Sequence, residues 1–460
     1  MNGLTTVILA AGEGKRMRSR VPKVLHQLCG RPLISYPLRL ARTLADSVVM
    51  VVGPGADPVR ALADGVTIVE QRERLGTGHA VLQAREVCPD RGPLLVLAGD
   101  MPLLLLETVE RLVEHHRATG AAATVLTATV ERPQGYGRVL RQGGRVKRIV
   151  EERDATDDEK KVAEINTSVY CFDARRLWPA LAEVKPDNDQ GELYLTDVIG
   201  LLARAGHRVE AVGVGDPVEA LGVNDRRQLA GLAVIQRRRI LDRLMTEGVT
   251  VLDPATTYVD DTVVVGADTT LHPGVVLEGA TTIGEDCVIG TGSHVSSSRL
   301  ADGVRLKPYC VITESEVQEG AELGPFCHLR PKVVIGPRAK VGNFVELKKS
   351  RLGRGSKANH LAYIGDATIG EGVNIGAGAI TCNYDGFAKH ETTVQDGAFV
   401  GTNVSLVAPI TIGAGAYIGS GSVVTKDVPA DALAVERSQQ VVKEGWAARK
   451  RAQRGAKKEH

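Results

Sequence analysis

Aliphatic residues recur every six positions through much of the second half of the chain. Val265, Leu271, Leu277, Ile283, Ile289 and Val295 form one run, Leu323, Leu329, Ile335, Val341 and Leu347 a second, and Val400, Leu406, Ile412, Ile418 and Val424 a third. A small residue often stands four places later, as at Thr269, Thr281, Cys287 and Ser293. A helix repeats at about 3.6 and a hairpin sheet alternates, so neither fits; short strands joined at repeated corners do. The pattern predicts a parallel β-helix from about Val265 to Thr425, three strands to a coil, with the aliphatic column on its axis. The alternative is an all-β sandwich with chance spacing.

Residues 1 to about 227 read differently. Apolar runs alternate with helix-like stretches, as in a βα domain. Thr5–Ala10 and Val48–Val52 are predicted strands, with helix-like sequence through Leu62; a third strand ends before Gln71, and a fourth spans Leu94 to Asp100. The fourth is apolar up to its terminal acid, as in a parallel strand buried on both faces. Asp225 to Glu247 has helical spacing at Leu229, Leu232, Gln236 and Arg239 and stops at Gly248. That predicts a linker helix over 228–250, its arginines a solvated face, between a first domain (1–227) and a β-helix domain with tail (251–460). The basic tail from Lys443, around Trp446, is expected to lose order at its end.

Composition narrows the class. A chain of 460 residues exceeds one ordinary core. Hydrophobic residues at 43% and charged ones at 24% suit a soluble globular protein, and 3% aromatics suit a slim β-helix axis. A net charge of +2 implies no strong field for nucleic acid. Seven cysteines without a Cys-x-x-Cys pair point to reduced thiols in a cytoplasm, not to a disulfide framework or zinc ribbon. Met1 to Ala11 lacks a basic leader, so no signal peptide is expected, and the apolar stretch Leu94 to Leu106 is broken by Asp100 and Pro102, so no membrane insertion is expected.

In the first domain, Gly12-Glu13-Gly14-Lys15-Arg16-Met17 follows the first strand, with Arg18 and Lys23 close behind. Bare amides and cations at such a turn suit a triphosphate. The loop matches neither the dinucleotide fingerprint nor the P-loop, and a plain turn with a solvated basic face stays open. Gln71 and Leu75-Gly76-Thr77-Gly78-His79-Ala80 would admit and read a flat base. Asp100 ends a strand where open α/β sheets bind ligands, and suits a magnesium ligand or a helix N-cap. Gly137, Glu151, Asn166 and Asn224 each stand at the edge of an apolar run.

Register serves as a ruler in the β-helix. Successive strand starts are Val341, Leu347, Leu352, Ala358, Ile364, Ile369 and Ile375, with five-residue steps after Leu347 and Ile364. Residues three strands apart stack, so Arg330 falls on Lys348. Like charges in register are unfavourable, and a bound phosphate relieves them; splaying into water is the alternative. The same count puts Asn343, His360 and Ala377 in one column, Glu346 and Tyr363 in the next, and Thr402 on Ser420. Small residues leading to a histidine leave room for a long thin ligand ending at a base. The period fails between Thr381 and Val394, where Cys382 to His390 should leave as a loop; Cys382 reads as a small packed residue.

Together these segments resemble the bacterial family of bifunctional N-acetylglucosamine-1-phosphate uridyltransferase / glucosamine-1-phosphate N-acetyltransferase. They are Leu9-Ala10-Ala11-Gly12-x-Gly14-x-Arg16-Met17, Pro22-Lys23-Val24-Leu25-His26, Leu75 to Ala80 and Glu164-Ile165-Asn166-Thr167 in the first half. In the second half they are Gly342 to Glu346, Gly353-x-Gly355-Ser356-Lys357, Asn374 to Gly378, Thr381 to Gly386 and Lys443-Glu444-Gly445-Trp446. The resemblance implies a Rossmann-like nucleotidyltransferase domain and a left-handed parallel β-helix that forms a homotrimer. It implies the synthesis of UDP-N-acetylglucosamine, which feeds peptidoglycan and lipopolysaccharide precursors. Leu9, Ala10, Ala11, Gly12 and Lys23 would hold the UTP phosphates, with Gln71, Gly76 and Thr77 at the uridine and Ala98 and Gly99 beside them. Asp100 and Asn224 would hold Mg²⁺, and Gly137, Glu151, Asn166 and Asn224 would position the sugar. His360 would be the acetyltransfer base. Arg330, Lys348, Tyr363, Asn374 and Lys389 would bind glucosamine phosphate, with Glu346 orienting amine or base. Ala377, Tyr384, Thr402, Ser420 and Arg437 would line acetyl-CoA, and Asn383 would bind the sugar phosphate or the coenzyme.

The chain departs from the family pattern at Ala98, where a tyrosine is common, at Thr402 in place of serine, and at Asn359 and Ala362 around the histidine. Two other readings remain: a single-activity pyrophosphorylase whose β-helix only oligomerises, and a non-enzymatic scaffold.

Overall fold

The structure, a computed structural model, describes residues 3–456. The chain divides into two compact units, with the boundary in sequence between Ile240 and Leu241.

The first unit is built on one mixed sheet. Its strands lie in the order Val209–Gly213, Ala123–Thr129, Glu164–Asp173, Pro93–Ala98, Thr5–Ala10, Ser47–Val52, Thr67–Glu70; the hairpin Arg138–Gln142 and Arg145–Val150 joins at Glu164–Asp173. Thr5–Ala10 runs parallel to both neighbours, whereas Glu164–Asp173 runs antiparallel to both of its main ones. The apolar run at Leu94–Leu97 thus reports burial on two faces, not the direction of both neighbours. Val7 and Val96 pack into the core on one face, and Ile8 and Leu97 into that on the other, as strand alternation requires. From the central strand the chain builds outward on one side, then returns to the other side at Pro93–Ala98. Strand order reverses there, and a crevice opens beyond the carboxyl ends of the two strands. Gly99 N–H donates to Leu9 O at 2.9 Å and ties its two walls together.

The helix expected between the two domains runs from Arg226 to Thr246. Its first half packs on the first unit, with Leu232 buried among Met17, Leu28, Leu33, Tyr36 and Leu103. Two of its arginines are not a solvated face: Arg226 Nε donates to Met17 O (3.1 Å) and Arg239 Nη1 to Leu103 O (2.7 Å). An arginine stem packs over apolar surface while its head finds a carbonyl, and spacing alone does not distinguish that from solvation.

In the second unit short strands pair in parallel with the third strand on, giving three sheets of eleven, ten and nine strands. This is a triangular β-helix. Val259, Leu277, Val295, Ile312, Leu329, Leu347 and Ile364 fill one side of its axis, each 3% exposed or less. The small residues four places on are buried at the corners, and their hydroxyls find backbone partners; Thr269 Oγ1 donates to Gly284 O (2.8 Å) and accepts from Cys287 N (3.0 Å). The tail carries a helix, Trp446–Ala456; the expected loss of order concerns residues beyond it that lie outside the described ones.

Candidate functional sites

In the first unit a cavity of about 480 Å³ lies at the point of strand reversal. Leu9, Ala10, Ala11, Gly12, Lys23, Gln71, Gly76, Thr77, Ala98 and Asp100, all expected from sequence, line it. Gly76 stands at φ +106°, and a Cβ there would lie 2.6 Å from Leu193 O, so the close approach requires glycine. Thr77 Oγ1 accepts from Leu195 N at 3.0 Å, and buried Gln71 donates from Nε2 to Gly76 O at 3.1 Å. Asp100 is no N-cap: the next helix begins at Leu106, and Glu219 accepts from Leu105 N. Asp100 Oδ2 instead accepts from Lys23 Nζ. Its backbone carbonyl accepts from Val223 N at 3.0 Å, which draws Asn224 to the same end of the strand. Asn224 Oδ1 accepts from Arg16 Nη2 at 2.9 Å.

Gly137, Glu151 and Asn166 form a second cluster outside the lining of that cavity. Asn166 N donates to Gly137 O (2.8 Å), and a Cβ on Gly137 would lie 3.3 Å from Glu151 Oε2. Burial raises the Glu151 pKa; a hydrogen bond from Thr196 Oγ1 (3.2 Å) opposes, Asp154 and Asp197 add to the rise, and Arg138 opposes it. Neighbouring Tyr136 is raised by burial and then by the field of Asp100.

Sequence reasoning missed Arg74, whose Nε donates to Ala11 O at 3.0 Å in the cavity wall, and Ser168 and Glu192, which also line it. It missed Thr196 too. Arg74 stands next to a quoted motif and could have been found there. The segment around Glu192 carries only a turn signal, Asn188 Oδ1 accepting from Gln190 N and Glu192 N, and nothing in it names its distant partner.

In the second unit the register brings the expected residues together. Asn343 pairs with His360 and Glu346 with Tyr363. His328 on Glu346 and Leu329 on Leu347 place Arg330 over Lys348. Asn343 Oδ1 lies 3.1 Å from His360 Nδ1, and Arg330 Nη1 donates to Glu346 Oε1 at 3.0 Å. Lys389 beside Lys348, and then Arg330, hold the Lys348 ammonium below the usual lysine value, with Asp366 pulling the other way. Three cations therefore converge here. Tyr363 Oη and Asn383 Nδ2 lie over Gly365, 2.5 and 2.8 Å from where its Cβ would be, and Asn383 Nδ2 also donates to Asp366.

Asn374 pairs with Lys357 on the same face as His360, and Gly378 N donates to His360 O (3.3 Å), which sets Ala377 in the histidine's column. The break in the repeat is a loop from Asn383 to His390, closed by a Tyr384–Lys389 bridge and capped by Asp385, which accepts from Phe387 N and Ala388 N. Cys382 ends the strand before it, half-buried opposite Val407. Thr402 N donates to Ser420 Oγ (3.2 Å), and Arg437 Nη1 donates to Ser420 O (3.4 Å).

Comparison with known proteins adds independent findings. Residues 6–205 match the family described as MobA-like NTP transferase domain, and residues 262–297 and 391–426 match bacterial transferase hexapeptide (six repeats). Such repeats form a left-handed parallel β-helix, a hand that the right-handed crossover rule would not supply. The chain is similar to the bifunctional protein GlmU of Brevibacillus brevis, 49% identical over 97% of this chain and 98% of that one. It is 48% identical to the GlmU protein of Geobacter sulfurreducens over 98% of this chain and 100% of that one, and 46% identical to that of Shouchella clausii over 97% and 99%.

Proposed function

This chain belongs to the GlmU family of bifunctional proteins, and on that premise we propose how its two transferase activities are carried out. The second unit acetylates glucosamine 1-phosphate from acetyl-CoA. The first transfers a uridylyl group from UTP to the resulting N-acetylglucosamine 1-phosphate, releasing pyrophosphate.

In the first unit the backbone of Leu9 to Gly12, with Lys23, holds the UTP phosphates, and Gln71, Gly76 and Thr77 hold the uridine. Gly137, Glu151, Asn166 and Asn224 orient the sugar so that its phosphate oxygen attacks the α-phosphorus in line. Positioning and charge neutralisation do the chemistry, with no covalent intermediate. Asp100 and Asn224 fit magnesium: one carboxylate and one amide oxygen, both hard donors, are drawn to one strand end, and each already accepts from a cation. Such an ion bound there would neutralise phosphate charge.

In the second unit Arg330, Lys348 and Lys389 bind the sugar phosphate, with Tyr363, Asn374 and Asn383 around it. A His360 that donates from Nδ1 to Asn343 Oδ1, 3.1 Å away, presents Nε2 as the base. That nitrogen takes the proton as the amine attacks the thioester, and Glu346 orients the amine or the histidine. A backbone amide near Ala377 receives the oxyanion, and the thiolate of the coenzyme leaves past Tyr384, Thr402, Ser420 and Arg437. We take the assembly to be a homotrimer through the β-helix and the compartment to be the cytoplasm. The seven cysteines, all free, support the latter. Among the described residues no helix is long and apolar enough to cross a membrane.

The observation that carries this reading is the register that sets Arg330 over Lys348, one corner of the coil from the Asn343–His360 pair. Free thiol and pyrophosphate, followed separately, test it. His360→Ala should abolish thiol release and spare pyrophosphate release from supplied N-acetylglucosamine 1-phosphate; Asp100→Ala should do the reverse. Loss of both activities in either folded variant would end the two-site division.

A further inference from the structure

The two oxygens assigned to the metal are both held by cations of the phosphate-binding loop. Lys23 Nζ lies on Asp100 Oδ2, their side chains only 14% and 22% exposed. Arg16 Nη2 lies on Asn224 Oδ1. The first pairing is sheltered from solvent, the second lies exposed beside it. Gly14, in the left-handed region at φ +64°, packs flat on the lysine stem; a Cβ there would lie 2.6 Å from Lys23 Cβ. Arg226 fastens Met17 O, and Val223 fastens Asp100 O. Glycine loop, Lys23, strand end and the 223–226 turn are thus clamped together.

We propose that Lys23 and Arg16 act as an internal latch on the metal site, holding Asp100 and Asn224 until nucleotide phosphates draw them off. This rests on the assignment of Asp100 and Asn224 to the metal. A divalent ion arriving alone meets a paired carboxylate with an ammonium beside it, and is repelled. A triphosphate offers Lys23 and Arg16 stronger charge-assisted bonds than one carboxylate and one amide can. Once they move to it, Asp100 is a bare anion facing a polyanion, and a cation is needed between them. Metal and nucleotide therefore enter cooperatively, and linkage makes the effect reciprocal.

The test is a titration of the full-length chain with Mn²⁺ in the absence of nucleotide, reading free Mn²⁺ by its paramagnetic resonance. Lys23→Met should bind Mn²⁺ about tenfold more tightly than the unaltered chain. Lys15→Met is the control. It removes the same charge from the lining of the same cavity, but Lys15 is 81% exposed and pairs with Glu13 at 3.2 Å, so its effect should stay within about twofold. Arg16→Met should tighten binding by a smaller factor, because it frees only an amide oxygen, and it serves if Lys23→Met does not fold. Equal tightening by Lys23→Met and Lys15→Met, or none by Lys23→Met and Arg16→Met, overturns the latch. Adding Asp100→Asn to Lys23→Met should abolish the tight site; if tight binding persists, the metal does not sit at Asp100, and the assignment beneath the latch fails with it.

Discussion

Glu151 shows how far the surroundings of one side chain decide its chemistry. Burial lifts its pKa, and Thr196 restrains the rise by donating to the ionised form. A carboxyl raised in the fold is charged at a stability cost, present above its folded pKa and relieved as pH falls below it. Function runs the other way. If the ionised carboxylate accepts from the sugar, kcat/KM for N-acetylglucosamine 1-phosphate falls as pH drops through that raised value, where an ordinary glutamate is still charged. Thr196→Val removes the donor and should move this acid limb upward by about one pH unit, since a hydrogen bond to a charged group contributes about 1.5 kcal/mol or more. Thr196→Ser should restore it. An unmoved limb in a folded Thr196→Val chain would assign the limb to another group. Glu151 was visible in the sequence as a polar residue at the edge of an apolar run. Thr196 was not, because a partner 45 residues away leaves no local trace.

Among the elements, those with an unbroken period were legible and those defined by their neighbours were not. The six-residue repeat carries its own register, so the placement of Arg330 on Lys348 and of Asn343 beside His360 could be counted out from the sequence. The direction of Glu164–Asp173 against Pro93–Ala98 could not, since an apolar strand looks alike in either direction. Helix Leu106–Thr119 holds a third kind of information. His116 is polar by type, yet it is 5% exposed and meets Thr124 Oγ1 at 3.0 Å through Nδ1. Burial, outweighing the opposing pull of Asp173, depresses its pKa from 6.5 to about 4. The unfolded chain therefore binds the proton first, and stability contributed by neutral His116 is lost as pH falls from about 6.5 toward 4. By pH 5 the loss should be about 2 kcal/mol. His116→Gln removes this dependence, so the difference in melting temperature of the first unit between pH 7 and pH 5 should shrink. An unchanged difference would place the acid sensitivity elsewhere.

For the whole molecule, two units with separate cores predict two calorimetric transitions. The sites make them distinguishable, because the cavity at the strand reversal belongs to the first unit and the His360 face to the second. A ligand that binds only the folded form raises that form's stability by an amount set by its excess over Kd, about 2.7 kcal/mol at a hundredfold excess. For units of this size that is a shift of about 5–10 °C. UTP should move one transition and acetyl-CoA the other, with neither moving both. His116→Gln should alter the pH response of the transition that UTP moves. A homotrimer held by the β-helix adds a further mark: the acetyl-CoA transition should rise with protein concentration, because dissociation then accompanies unfolding. One transition raised equally by both ligands would mean that the chain unfolds as a single body. A concentration-independent second transition would leave the β-helix monomeric, and the acetyl site would then be complete within one chain.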